Sequence, residues 1–103
     1  VATNAKLNKA QANRIAVAAQ DGIARAVFPS HTPFDGDLLF SISTRELALK
    51  DPAFDTLKIG HAAAQCVARA IARAVYSAKP SYNDILPCWS KENLNPKKNK
   101  IKE

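Results

Sequence analysis

The first third of the chain carries a helical hydrophobic pattern. Small and apolar residues recur three and four positions apart, as on one face of an α-helix; they are Ile15, Ala18, Ala19, Gly22, Ile23, Ala26 and Val27. Asn8 and Gln11 have the spacing of a capping box where this pattern starts. Pro29 stops it, because the residue before a proline is pushed out of the helical region. The sequence therefore predicts an amphipathic helix over residues 9–27.

Residues 38–44 follow the two-residue alternation of a strand and not the helical period. The two sides of the extended chain are Leu38, Phe40 and Ile42 on one and Leu39, Ser41 and Ser43 on the other. β-branched and aromatic residues are frequent here, as they are in strands. We expect a strand with one apolar, buried face. Val1 to Thr3 resemble the last residues of another strand, whose beginning lies before Val1.

A second helical pattern follows a polar connection over residues 45–55 and predicts a helix over residues 56–78. Its apolar and small positions are Gly60, Ala63, Ala64, Val67, Ala68, Ile71 and Val75. Both helical stripes are rich in Ala and Gly, which favours close packing on a flat sheet. Residues 79–103 contain three prolines and many polar residues, so we expect an irregular basic tail. The candidate anchors of this tail are Tyr82, Ile85, Leu86 and Trp89.

These elements do not make a complete domain. Two long helices each need an apolar surface to cover, but the chain supplies one full strand and the end of another. So small a sheet is not stable by itself in water. We therefore expect an α/β (α+β) fold in which residues 1–78 are the C-terminal part of a larger sandwich. Val1 is then an internal point of a longer polypeptide.

Composition places the chain in the ordinary globular class. Of its 103 residues, 47% are hydrophobic and 23% are charged. No apolar run approaches the length of about 20 residues that a spanning helix needs, and the N-terminus lacks the pattern of a signal peptide. Cys66 and Cys88 form no Cys-x-x-Cys pair, and we expect Cys66 to be a small core residue. These features predict a soluble, cytoplasmic protein without a metal site, a cofactor or a membrane contact.

The net charge of +6 does not predict a nucleic-acid partner. Residues 91–103 hold five Lys against two Glu, so this segment alone carries +3 of the total. A phosphate-binding surface needs its cations clustered on one folded face. We expect the basic segment to be solvated.

Candidate chemistry lies where the chain enters the predicted strand. Asp35 and Asp37 flank Gly36, and an i, i+2 pair on extended backbone points to one side. At roughly 6.5 Å, two carboxylates repel by about 2.5 kcal/mol at an effective dielectric near 20, which is nearly two pKa units. A covered pair is therefore suited to proton transfer. The alternative is structural, because Asp-Gly is a common turn dipeptide and such an Asp often caps backbone amides.

Two histidines are weaker candidates. His31 could act as a base, although a His before Thr-Pro more often stabilises its loop. His61 is predicted to lie on the outer face of the second helix, in solvent. Asp35 and Asp37 alone are too short a ligand set for calcium.

The motif His-Thr-Pro-Phe-Asp-Gly-Asp at residues 31–37, preceded by Asp-Gly-Ile-Ala-Arg-Ala at residues 21–26, resembles the small subunit of the DmpA-type aminopeptidases. That family includes L-aminopeptidase/D-esterases, β-peptidyl aminopeptidases and the nylon-oligomer hydrolase. The resemblance covers residues 1–78. It implies a four-layer αββα sandwich and a precursor that cuts itself into a large and a small chain. The cut exposes a Ser or Thr nucleophile.

The resemblance also implies roles for individual residues. Asp35 and Asp37 match the acidic pair that assists the nucleophile. Val1 has no hydroxyl, and the matching Ser or Thr would lie about five residues upstream of it. The implied partners are the large chain of the same precursor, further copies of the heterodimer and a small peptide or amide substrate.

Other functions stay open at this point. The chain could be an inactive homologue or a non-catalytic binding module that uses its Lys-rich segment. A self-processing acyltransferase shares the chemical logic but not the motif.

Overall fold

The computed structural model describes residues 1–90, which form an α+β unit of four elements. In chain order they are strand β1 (Ala2–Ala5), helix α1 (Lys9–Ala26), strand β2 (Ile42–Leu47) and helix α2 (Pro52–Ser77). The two strands pair in parallel and make a two-stranded sheet. The α+β class is confirmed, and the small sheet is what one part of a larger sandwich would contain.

Helix α1 has the boundaries that its cap and its stop signal predict, to within one residue. The Asn8 side chain accepts from the Gln11 N–H at 2.8 Å, and the Gln11 side chain accepts from the Asn8 N–H at 2.9 Å. This capping box satisfies two of the donors that a helix start leaves free. At the other end Val27 is already extended, although its N–H still donates to the Ile23 carbonyl.

Strand β2 lies further along the chain than predicted. The alternation indicated residues 38–44, whereas the strand spans Ile42–Leu47. Strands form only where they have a partner, and β1 pairs Ala2 with Ile42 and Thr3 with Ser43. Residues 37–39 extend past the beginning of β1, so within residues 1–90 they have no strand to pair with. The sequence pattern shows that these residues favour a strand, but it does not show where the partner strand begins.

The far end of β2 is longer than predicted because the pairing contains a bulge. Ala5 pairs with Leu47, so two steps along β1 correspond to four along β2. Arg45, inside the bulge, has a left-handed φ of 64°. The Ser43 hydroxyl compensates for the interrupted ladder, since it donates to the Ala5 carbonyl at 2.6 Å and accepts from the Leu7 N–H at 3.3 Å. Residues 45–47 therefore belong to the strand and not to the predicted connection.

Helix α2 begins four residues earlier than predicted. Asp51 is its N-cap and accepts from the Phe54 N–H, and Pro52 occupies the first helical position, where no N–H is needed. The Asp55 carboxylate accepts from the Lys50 and Asp51 N–H groups at 2.9 and 3.0 Å. Polar residues that suggested a connection are thus the cap of the helix. The helix ends at Ser77, one residue before the predicted end.

The core lies between the two helices and one face of the sheet. Its buried members are Ala5, Leu7, Ile15, Ala19 and Ala63. Gly22 allows the helices to touch, because a Cβ at this position would lie 2.8 Å from the Val67 Cβ and closer still to the Ala64 carbonyl oxygen. The small residues of the two stripes therefore bring helix against helix, and not only helix against sheet as predicted.

The opposite face of the sheet is uncovered. Leu39 packs towards the core and Ser43 bonds to β1 on that side, so the alternating residues point away from the helices. These are Leu38, Phe40 and Ile42, which are 79%, 73% and 61% exposed. The prediction that this apolar side is buried is thus wrong for the described residues, because no second layer lies on it. An apolar sheet face without a cover is typical of one half of a sandwich.

Two predictions about smaller features are also wrong. Cys66 is exposed and not part of the core. Of the predicted tail anchors, Tyr82, Ile85 and Leu86 are exposed, and Trp89 alone of the four packs, with its ring 5.0 Å from that of Tyr76. The basic segment 91–103 lies outside the described residues. Among residues 1–90, no helix is long and apolar enough to cross a membrane.

Candidate active site

The acidic pair lies in an irregular segment between α1 and β2. Asp35 and Asp37 are both exposed, and Asp37 precedes the first residue of β2 by five positions. The pair therefore does not lie at the entrance of the strand, as the alternation suggested, but upstream of it. It remains at the amino end of the sheet, because β2 continues directly from this segment.

Asp35 stabilises a turn. Its carboxylate accepts from the Thr32 N–H at 2.8 Å, and its own N–H donates to the Thr32 carbonyl at 3.0 Å. This reciprocal pair closes residues 32–35 into a turn next to His31, whose φ of 56° is left-handed. The structural alternative for Asp35, a cap on backbone amides, is thus what the geometry shows.

Asp37 differs from its neighbour. Within residues 1–90 the Asp37 carboxylate makes no hydrogen bond or ion pair, and a Cβ at the adjacent Gly36 would meet nothing within 4 Å. The carboxylate and the space beside Gly36 are therefore open to a group from outside the described residues. A carboxylate with these properties can accept a hydrogen bond or orient a cation without first breaking an internal contact.

The other candidates do not join this pair. His31 is exposed in the loop before the turn, and His61 is exposed on α2, where its Nε2 lies 3.0 Å from the Gln65 side-chain nitrogen. The prediction that His61 faces solvent is confirmed. Within residues 1–90, no three His, Cys, Asp or Glu side chains come together in a way that could hold a metal ion.

Two serines at the start of β2, Ser41 just before it and Ser43 within it, have a structural environment that the sequence does not predict. Ser43 bridges the strands at the bulge, as described above. The Ser41 hydroxyl is buried, and it has no hydrogen-bond partner among the described residues. Both serines alternate with apolar residues in the sequence, so their position on one face of the extended chain can be predicted. Their hydrogen bonding cannot, because it depends on the register of β1.

The direction of the strands gives the acidic pair its context. β1 and β2 are parallel, and the paired residues Ala2 and Ile42, like Thr3 and Ser43, are 40 positions apart. The Val1 nitrogen donates to the Phe40 carbonyl at 2.7 Å, so the ladder is still in this register at the beginning of the sequence. The acidic pair and the chain that leads into β1 therefore approach the same end of the sheet.

Comparison with known proteins shows which family the chain resembles. Residues 1–83 match peptidase family S58. An uncharacterized aminopeptidase of Mycobacterium tuberculosis and one of Mycobacterium bovis are each 37% identical to the chain over an alignment of 102 residues, which covers 84% of this chain and 30% of each relative. An uncharacterized aminopeptidase of Mycobacterium leprae is 36% identical and is covered to 28%. No solved structure matches.

The chain thus spans less than a third of the length of these curated relatives. The family match covers all four elements, the acidic pair and the turn before it. The resemblance inferred from the motifs at residues 21–26 and 31–37 is confirmed. The chain belongs to peptidase family S58, the family of the DmpA-type aminopeptidases.

Proposed function

We propose that this chain is the small subunit of an amide or peptide hydrolase, with a Ser or Thr about five residues upstream of Val1 as its nucleophile. Membership of a peptidase family and the aminopeptidase names of the relatives support hydrolysis of peptide or oligoamide bonds. The nucleophile becomes the first residue of the small chain when the precursor cuts itself.

The register of the two strands is the observation that carries this proposal. Paired residues of β1 and β2 are 40 positions apart. If the same register continues upstream, a residue five positions before Val1 lies opposite Gly36. Neighbouring strands are about 4.8 Å apart, so the nucleophile would sit beside the residue that separates the two carboxylates. Strand pairing alone would thus bring together groups that are far apart along the chain.

This placement suits nucleophilic catalysis. A hydroxyl is a weak nucleophile until a nearby base takes its proton, and a free α-amine with a pKa near 8 can act as that base. The oxygen attacks the substrate carbonyl, and the proton passes through the amine to the leaving nitrogen. The resulting ester between enzyme and acyl group is then hydrolysed by water. The donors that stabilise the oxyanion must come from the rest of the polypeptide.

The two carboxylates take different parts in this scheme. Asp37, which has no internal partner among residues 1–90, holds the α-ammonium or the hydroxyl of the nucleophile in place. Asp35 has its carboxylate on the Thr32 N–H, so it acts through the shape of the turn and through its charge. Gly36 leaves the space beside the nucleophile free for the acyl group of the substrate.

The partner in this proposal is the large chain of the same precursor. It would lay a second sheet on the uncovered side chains of Leu38, Phe40 and Ile42 and so complete a four-layer αββα sandwich. Residues 1–78 are then the C-terminal part of one hydrolase domain and residues 79–103 its tail. Assembly of heterodimers into a larger homo-oligomer and a cytoplasmic location are further parts of the proposal.

Hydrolysis by the matured full-length protein tests this function. The substrate is a chromogenic amide of a small amino acid, and the variant replaces the upstream Ser or Thr by Ala. We expect turnover by the native protein and none by the variant. A variant that cleaves the amide at the native rate would rule out the nucleophile, and a well-folded native protein without activity would favour an inactive homologue or a binding module.

A further inference from the structure

An open pocket lies at the carboxyl end of the two strands. Its walls are the chain that follows β1, the first turn of α1, the end of β2 with the residues after it, and the first residue of α2. Its volume is about 300 Å³. The acidic pair precedes β2, so it lies towards the amino end of the sheet. The pocket is therefore separate from the candidate active site, and the carboxyl ends of parallel strands are a common place for ligands.

Two cationic side chains line this pocket, and no carboxylate of the described residues does. They belong to Lys6 and Arg45, and within residues 1–90 neither side chain makes a hydrogen bond or an ion pair. The nearest acids along the chain have other partners. The Glu46 carboxylate accepts from a hydroxyl of the same strand at 2.7 Å, and those of Asp51 and Asp55 accept from backbone N–H groups at the start of α2. The positive charge of the pocket is thus not neutralised locally.

Backbone pairing fixes the positions from which both cations extend. The Lys6 N–H donates to the Leu47 carbonyl at 2.6 Å, which holds Lys6 beside the end of β2. Arg45 lies in the bulge of β2, with a left-handed φ of 64°. Because the backbone is already ordered, a bound anion has to order only the two side chains.

Two side-chain amides add further donors. The oxygens of Asn8 and Gln11 accept the backbone N–H groups of the capping box. Their amide nitrogens have no partner within residues 1–90, and a nitrogen of this kind can only donate. Both residues line the pocket together with the two cations. The polar side chains of the pocket therefore offer donors and no free acceptor, which favours an oxyanion over a cation.

The rest of the lining is apolar. Leu7 is buried, Leu49 is half-buried and packs against the core, and Pro52 adds its ring at the start of α2. A hydrocarbon group placed on these side chains would leave water. The volume of the pocket is at the lower end of the range for small-molecule sites. A small molecule that has both an anionic and an apolar part matches this lining.

We propose that the pocket binds a small organic oxyanion, a carboxylate or phosphate group attached to an apolar body. The oxyanion lies against Lys6 and Arg45 and accepts from the amide nitrogens of the capping box. The apolar body lies on Leu7 and Leu49. The inference is independent of the proposed function, since it uses neither the acidic pair nor the nucleophile.

Benzoate and phenyl phosphate are the probes, and benzamide is the uncharged control. Each is titrated against the full-length native protein and followed by ligand-observed NMR. We expect saturable binding of at least one of the two anions with a Kd on the order of 1 mM or tighter, and the tighter of the two identifies the oxyanion. Benzamide should bind at least about 10-fold more weakly than benzoate. Absence of saturable binding of both anions would overturn the proposal, as would benzamide that binds as tightly as benzoate.

Substitutions assign the binding to this pocket. We expect Lys6→Gln and Arg45→Gln each to weaken binding of the anion on the order of 10-fold. Arg69→Gln removes a charge from an exposed position of α2 outside the pocket and should leave the affinity unchanged. Native affinity in both pocket variants would place the anion elsewhere, including at the active site, and would overturn the proposal.

A change in the bulge is distinguished from a loss of charge by Arg45→Lys. This variant keeps the charge and should retain more affinity than Arg45→Gln, with equal thermal midpoints of the two variants. Affinity that is lost equally in both would contradict a role for the charge. Turnover of the chromogenic amide is measured on the same proteins. A native protein that binds the anion in the pocket but does not hydrolyse the amide would refute the proposed function and support this site.

Discussion

At the scale of single residues, the two carboxylates of the acidic pair are not equivalent. Asp35 closes a turn through the Thr32 N–H, whereas the Asp37 carboxylate has no partner within residues 1–90. The sequence indicates both residues equally as candidates, because it shows their spacing and not their contacts. Their difference depends on the turn that one of them makes. Asp35 therefore has at least a structural part in the turn, whereas the Asp37 carboxylate is available to bind a reacting group.

We expect Asp37→Asn to abolish most of the activity without unfolding the protein. The substitution removes the charge that we propose orients the nucleophile, so turnover should fall on the order of 10²-fold or more. Stability should change by less than about 1–2 kcal/mol, because Asn keeps the shape of Asp and the side chain has no internal bond to lose. Turnover of the chromogenic amide and the thermal midpoint are measured on the same preparation of matured enzyme.

Asp21→Asn is the matched control, since it makes the same change at an exposed position of α1. It should leave turnover unchanged. Full activity of Asp37→Asn would show that the carboxylate is not part of the machinery, even if Asp37→Ala melts earlier.

Asp55 gives a pH-dependent prediction at the start of α2. Hydrogen bonds from the Asp51 and Lys50 N–H groups, aided by the charge of Lys58, hold the pKa of Asp55 below its usual value against an opposing effect of burial. A lowered pKa in the folded state means that the contribution to stability is full above the unfolded pKa, about 3.9. It is lost as the pH falls through the lower folded pKa. The Asp55 carboxylate should therefore stabilise the folded protein at neutral pH and not in strong acid.

This pH dependence is tested by measuring the thermal midpoints of the full-length protein and of its Asp55→Asn variant from neutral pH down to about pH 3. We expect the variant to melt earlier at neutral pH, with a difference that shrinks in acid. A difference that is the same at every pH would mean that the carboxylate charge does not contribute.

At the scale of elements, local signals predicted the helices and failed for the sheet. The boundaries of α1 follow from Asn8, Gln11 and Pro29, which all act within a few residues. The start of α2 lies four residues before the predicted one, because Asp51, Pro52 and Asp55 have the composition of a polar connection but form the cap and first turn of the helix. The boundaries of β2 depend on β1, some 40 residues away, so no local pattern contains them. Whether the face of Leu38, Phe40 and Ile42 is covered likewise depends on which elements pack on it, and a local pattern does not contain that information.

The proposed register makes a prediction about the segment before β2. In the observed ladder the Ile42 N–H donates to Val1, and alternate residues of a strand point the same way. If an upstream strand continues the pairing, the amides of Leu38 and Phe40 should donate to it. We expect slow hydrogen exchange at these two amides in the full-length protein. Fast exchange at both would show that β2 begins at Ile42 in the complete protein as well.

At the scale of the whole molecule, the described chain is more open than a compact domain of similar length. Its radius of gyration is 18.3 Å, whereas a compact domain of 100 residues has about 13 Å. Among the described residues, Ile15 is the only large side chain that is fully buried. The core that these two helices and two strands make is small because the apolar side chains of Leu38, Phe40 and Ile42 point away from it.

We therefore expect residues 1–103 expressed alone not to fold cooperatively. The product should aggregate or show a broad thermal transition, since burial of one face cannot offset the conformational entropy of ordering the chain. Calorimetry and near-ultraviolet circular dichroism measure this directly. A sharp transition of a monomer would mean that the exposed sheet face needs no cover.

The position of the first residue of the mature small chain tests the central proposal most directly. The full-length polypeptide is produced, purified without protease treatment and examined by intact mass and N-terminal sequencing. We expect two chains, the smaller of which begins with Ser or Thr about five residues before Val1, opposite Gly36 in the register of β1 and β2. Replacing that residue by Ala should leave a single uncut polypeptide. An active protein that stays in one piece, or a small chain that begins with a residue other than Ser or Thr, would contradict it.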